Sequence, residues 1–236
     1  MYKFLLLTMK NKNLLIALMM ILIPMTGLGQ IYQRPVNLLI HAGLHGNWLN
    51  PDEIIPAGGR TRLGLSAGLR MDYNFHQHFS FSWGAGFVQA GGNVIYADGL
   101  FVDLDDRLDS LPRGSQVTYR TSMLEIPLAM KLQTNRIGYT RYFVEAGLDP
   151  LIRLKSTIDV DYEDLKNEPF TEGIPVFNLA YHAAVGLRYS FTRLLGFQVS
   201  LFYKNTFLDF TKEHAKQPAD NIRLNQAGIS LALTFL

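Results

Sequence analysis

Residues 63–75 decide the fold: Leu63-Gly64-Leu65-Ser66-Ala67-Gly68-Leu69-Arg70-Met71-Asp72-Tyr73-Asn74-Phe75. Odd positions are almost all large and apolar, from Leu63 through Leu69 to Phe75. Even positions are small or polar: Gly64, Ser66, Gly68, Arg70, Asp72, Asn74. A period of two sends the two sets to opposite faces of a β-strand. The same alternation recurs at residues 38–48, 79–87, 124–132, 142–152, 179–189, 197–203 and 227–235. Most of these stretches run to about nine residues or more, close to the roughly 9–11 that a tilted membrane strand needs.

The composition of the two faces sets their direction. One face carries Leu, Ile, Val, Phe and Tyr. The other carries Gly, Ala and Ser with charges of both signs, which suits a narrow interior better than a water-facing surface. Apolar stripes against lipid require every backbone polar group to be paired, so the sheet must close on itself. The expected fold is all-β: an eight-stranded antiparallel up-and-down transmembrane barrel. Connections near residues 76–78, 133–141 and 190–196 are short and the other four are long, which matches short periplasmic turns and long extracellular loops. Tyr73, Phe75, Phe79, Tyr189, Phe191, Phe197 and Phe235 fall near the short turns, and Trp48, Phe87 and Tyr203 toward the loops, as two aromatic girdles would.

Composition narrows the function. The chain has 236 residues, 20 Gly, no Cys and a formal net charge of +2. Without Cys there is no disulfide, thiolate metal site or cysteine nucleophile. The near-neutral balance gives no footprint for nucleic acid. At the N-terminus, Lys10 and Lys12 precede an apolar run over 14–23, broken by Pro24 and followed by Gly27-Leu28-Gly29. This is the pattern of a secretory signal, expected to span residues 1–29 with cleavage before Gln30 and translation from Met1 or Met9. The barrel domain then covers residues 30–236, placed in the outer membrane of a Gram-negative cell after cleavage.

Leu124-Glu125-Ile126-Pro127-Leu128 with Lys131, followed by Tyr142-Phe143-Val144-Glu145-Ala146-Gly147, resembles the PorT-like outer-membrane barrels of Bacteroidetes. The resemblance implies an eight-stranded outer-membrane β-barrel, and the founding member is associated with type IX protein secretion and gliding. The expected function is therefore a non-enzymatic scaffold or partner-docking component linked to that secretion. The alternatives are a standalone structural or adhesion barrel acting through its loops and a lipid-modifying enzyme. The final Leu231-Ala232-Leu233-Thr234-Phe235-Leu236 is similar to the signal read by the barrel-assembly machinery, with Phe235 penultimate rather than last. Expected partners are outer-membrane lipid, that machinery and secretion-system proteins.

Nine charged residues fall on the inward face: Arg70, Asp72, Glu125, Lys131, Glu145, Asp149, Arg153, Arg188 and Lys204. With acids and bases nearly balanced, they predict a structural salt-bridge plug. Glu125 and Glu145 call for cations from Arg188, Arg70 or Lys131. His41, His45 and His182 face the same way. A hydrolase would pair one of them with Ser66, Ser80, Ser82, Ser122 or Ser200, but no compact signature joins them and no catalytic residue, cofactor or metal is expected. His41 and His45 stand about 13 Å apart along one strand, too far to share an ion. His76-Gln77-His78 is a weak chelating pair in a turn. The aspartates of 103–109 and the acids of 159–172 read as solvated loops rather than calcium sites, since the glycine-turn spacing of an EF-hand is missing. Ile95, Tyr96, Leu100, Phe101, Val102 and Phe170 suggest strand extensions above the membrane or a partner surface.

Overall fold

The computed structural model describes residues 35–51, 61–96, 100–104, 107–111, 115–160, 165–170, 173–211 and 222–235. The expected signal segment, 1–29, lies outside the described residues. Among the described residues twelve strands follow in order: β1 (Val36–Pro51), β2 (Arg62–Asn74), β3 (Phe79–Tyr96), β4 (Leu100–Leu104), β5 (Arg107–Leu111), β6 (Ser115–Glu125), β7 (Leu128–Gln133), β8 (Thr140–Val160), β9 (Leu165–Pro169), β10 (Phe177–Ser190), β11 (Leu195–Thr206) and β12 (Ile222–Phe235). All pairings are antiparallel. β1 joins β2 on one side and β12 on the other, and β8 joins β10, so the sheet has no free edge around its circumference.

Eight staves make the ring. β6 and β7 are one stave, interrupted at Ile126-Pro127 because proline offers no ladder N–H. The break is bridged from the neighbouring stave, where Pro150 O accepts the Ile126 amide at 3.0 Å. Three strand pairs meet at short turns, over residues 74–79, 133–140 and 190–195. In the middle turn Gly138 takes a φ of 63°, the left-handed conformation that glycine adopts freely. Both ends of the described barrel, Val36 and Phe235, lie at this same end, because Val36 pairs with Tyr73 and Phe235 with Leu195.

The faces run as the alternation requires. Leu65, Leu69, Leu128, Val144, Val185, Leu201 and Leu231 are all exposed on the outside, while Asp72 and Asp149 on the inside have no exposed surface. Aromatic placement follows suit: Phe75 stacks with Phe79 near one end, and Trp48 packs on Tyr203 toward the other.

One feature follows the sequence reading and two depart from it. First, staves run beyond the membrane, as Ile95 and Tyr96 suggested: β3 has 18 residues and β8 has 21, about eight and eleven more than a bilayer crossing of roughly ten needs. β4 and β5 add a separate hairpin. Second, the interior is not small and polar throughout. Toward the long connections it becomes an apolar core of Leu49, Val88, Val94, Val117, Tyr119, Met123, Leu151, Ile158, Ile222 and Leu224. Third, Phe170 is not part of an outer surface. With Ile174 and Phe210 it is buried in that core, its ring 5.9 Å from Tyr119. Connections at this end thus fold side chains into the barrel mouth, where apolar burial is favourable.

Candidate functional site

The interior below the apolar core holds the charges. Each reaches the lumen by inward register, and glycines opposite Arg70 and Glu125 leave those two room. Arg70 pairs across the sheet with Gly84, and a Cβ at Gly84 would sit 2.2 Å from Leu69 O and 3.1 Å from Arg70 Cγ. The arginine stem therefore lies across a position that no side chain could occupy.

The side chains form a closed ring in which carboxylates alternate with Arg70, Lys204 and His182. Arg70 Nη1 donates to Glu145 Oε1 at 3.0 Å, and Nη2 lies 3.6 Å from Glu125 Oε1. Lys204 Nζ carries the chain from Glu125 Oε2 (2.7 Å) to Asp149 Oδ2 (2.8 Å). His182 closes it, with Nδ1 2.9 Å from Asp149 and Nε2 3.2 Å from Glu145. A branch leaves Glu145 through Lys131, whose Nζ is 3.2 Å from Glu145 and 2.8 Å from Asp72. Asp72 in turn meets Arg188, which also donates to Gln198 Oε1 at 3.0 Å. The ring and branch tie together staves β2, β6–β7, β8, β10 and β11. Charges held in so little water are tolerated only when paired, and here four carboxylates face four Lys or Arg groups.

Eight of the nine expected charges therefore meet. Arg153 does not join the contacts just described. It lies half-buried, level with Met123 beside the β6–β8 register shift, with its amide donating to Val176 O at 2.8 Å. Arg188 serves Asp72 rather than either glutamate. His182 was visible as an inward histidine, but nothing in the sequence showed that it would span two carboxylates of β8.

The remaining histidines are placed differently. His45 Nε2 is 3.1 Å from Gln89 O, and His41 borders a small polar cavity with His45, Arg70, Glu145 and Lys204. That cavity is about 30 Å³, room for at most a few ordered waters. Among the expected nucleophiles, Ser80 donates to Asn74 at 2.6 Å, and Ser122 lies on the register opposite to Glu125. Among the described residues no cluster of three or more His, Asp or Glu is arranged to hold a metal ion. His76 and His78 face each other at 5.8 Å in their turn, with His78 engaged to Asn135. The side chains of 103–109 lie outside the described residues, as do those of 161–167.

The family profile described as "Outer membrane protein beta-barrel domain" matches residues 29–168. No curated protein sequence matches the chain. Among solved structures, the chain is similar to Neisserial surface protein A at 8% identity, covering 84% of this chain and 96% of that one, with a TM-score of 0.46. Ail, the attachment invasion locus protein of Yersinia pestis, matches at 10% identity over 86% and 100% of the two chains, TM-score 0.42. OprG from Pseudomonas aeruginosa matches at 9% identity over 86% and 96%, TM-score 0.37.

Proposed function

Because this chain belongs to the family of outer membrane protein β-barrel domains, we propose that it is a non-conducting, non-enzymatic scaffold that docks partners at its membrane surfaces. The observation that carries this reading is the doubly filled lumen: an ionic ring in the lower half and an apolar core in the upper half. An eight-stranded barrel has an interior that side chains just fill, so no solute path remains and the work falls to the two rims. Reconstitution in planar bilayers tests it. The expected result is a quiet membrane at all voltages, and reproducible conductance steps would overturn the reading.

The finer version, which the PorT-like motif on the fourth and fifth staves supports, is a docking role in type IX secretion. Deleting the gene should lower secretion of type IX cargo; unchanged secretion removes that version. The adhesion alternative is favoured by one feature, the β4–β5 hairpin on staves that outrun the bilayer. Trimming residues 97–114 should then abolish surface binding with the barrel intact. The non-enzymatic reading predicts identical lipid A masses with and without the gene, and the engagement of both His182 ring nitrogens by Glu145 and Asp149 supports it.

A further inference from the structure

The charges outside the lumen are unevenly divided. The four long connections hold most of the chain's 20 acidic residues. The short-turn segments 74–79, 133–140 and 190–195 hold Arg136 and Arg193 and no Asp or Glu. The acids nearest on these staves, Asp72 and Glu145, are buried and already paired inside.

Arg136 is held in place, and neither it nor Arg193 meets a carboxylate among the described residues. Arg136 Nε donates to Gly138 O at 3.0 Å, and its guanidinium lies 5.7 Å from the Tyr139 ring centre. Arg141, next along the chain, is half-buried on the inward register, directly across the sheet from Arg188. Its near charges are Arg188 and Arg136, both positive, and Arg188 is committed to Asp72. Arg193 is exposed on the adjoining turn. The two turns are physically joined: the Ser190 amide donates to Tyr139 O at 2.9 Å, and the Tyr139 and Tyr189 rings are 6.0 Å apart.

The same turns expose apolar groups past the strand ends. Ile137 is 64% exposed and Tyr139 62%, while Phe191 and Leu194 are also well exposed. They continue the outward stripe of Tyr142 and Tyr189. Rings and alkyl groups at that level belong among glycerol and upper acyl chains, with guanidinium groups at the phosphates.

From this juxtaposition we propose that the short-turn rim binds the phosphate of anionic phospholipid in the periplasmic leaflet, through Arg136 and Arg193. An acidic protein would satisfy the charge but not the apolar turns that merge with the lipid-facing stripe.

Native mass spectrometry of the folded barrel in a non-ionic detergent tests this, with phosphatidylglycerol and phosphatidylcholine of equal chain length supplied together. The wild type should retain phosphatidylglycerol selectively. R136Q/R193Q should lower the ratio of the two by roughly fivefold for each arginine removed, and R136K/R193K should keep most of it. Retained heat-modifiability on gels certifies folding. If the glutamine variant does not fold, salt on the wild type decides: at about 0.5 M, where the Debye length is roughly 4 Å, the preference should collapse. A wild type without preference, an unchanged ratio in R136Q/R193Q or a salt-insensitive preference would each overturn the proposal and leave the rim as a face for an acidic protein.

Discussion

The ionic ring makes a sharp prediction about paired substitutions at Lys204 and Glu125. Lys204 Nζ touches Glu125 at 2.7 Å and Asp149 at 2.8 Å. With an effective dielectric near 20, each contact attracts by about 6 kcal/mol, most of it offset by desolvation. Removing one partner leaves the desolvation without the attraction, which costs about 3–5 kcal/mol. Lys204→Met strands Asp149 with His182 alone and leaves Glu125 only the longer Arg70 contact, at 3.6 Å. Glu125→Gln leaves Lys204 with one carboxylate. Making both changes restores the balance, because Arg70, Lys131 and Arg188 then face Asp72, Glu145 and Asp149. The double variant should be no less stable than either single one, a coupling of about 2 kcal/mol or more. Urea unfolding from phospholipid vesicles, followed by Trp fluorescence and by gel mobility, measures all four corners of the cycle. Costs that add within about 0.5 kcal/mol would show that water screens these charges, and the filled lumen would lose its basis.

Two further predictions test the faces and the closure. Leu65→Lys, on a lipid-facing position 56% exposed, should destabilise the vesicle-folded barrel by about 2–4 kcal/mol, whereas Ser66→Ala next to it should stay within about 0.5 kcal/mol. Equal costs at the two positions would invert the assigned faces. Gly228→Val should block closure of the ring at β1–β12, since a Cβ there would stand 2.2 Å from Leu44 O and 2.5 Å from His45 Cβ; a normal heat-modifiable band would refute it.

The inward face was legible because pleating leaves no choice: once Leu65 faces lipid, Ser66 faces the axis. Partner choice was not legible, because it depends on stagger around the ring. Arg188 reaches Asp72 from β10 to β2, staves that are not neighbours in the sheet, and no local spacing encodes that reach. His182 shows the same limit. Its face followed from alternation, but its seat between Glu145 and Asp149 comes from the β8–β10 register, in which Gly147 stands opposite it. The glycine opens the space, and the two acids on either side close it.

The upper core escaped sequence reading for a different reason, and that reason locates the membrane boundary. Along β3 the outward series ends its lipid pattern at Phe87, after which Gln89 is outward and exposed while Val88, Ala90 and Val94 turn inward and are buried. β1 does the same past Trp48, with Leu49 buried and Asn50 exposed. On β12, Arg223 is exposed between buried Ile222 and Leu224, before Ile229 and Leu231 resume the lipid face. The period stays at two throughout, but the polarity reverses: apolar residues face out where the surroundings are lipid and in where they are water. A search for apolar-outward stripes therefore stops at the point of reversal and takes it for a strand end. The reversal falls at Trp48 and Phe87, the residues that form the upper aromatic girdle, so the girdle and the change of solvent mark one level. Below that level the barrel needs charges or glycines in its middle, because its apolar side chains are committed to lipid. Above it the same chain builds an ordinary hydrophobic core, and that core seals the ionic ring from the outside.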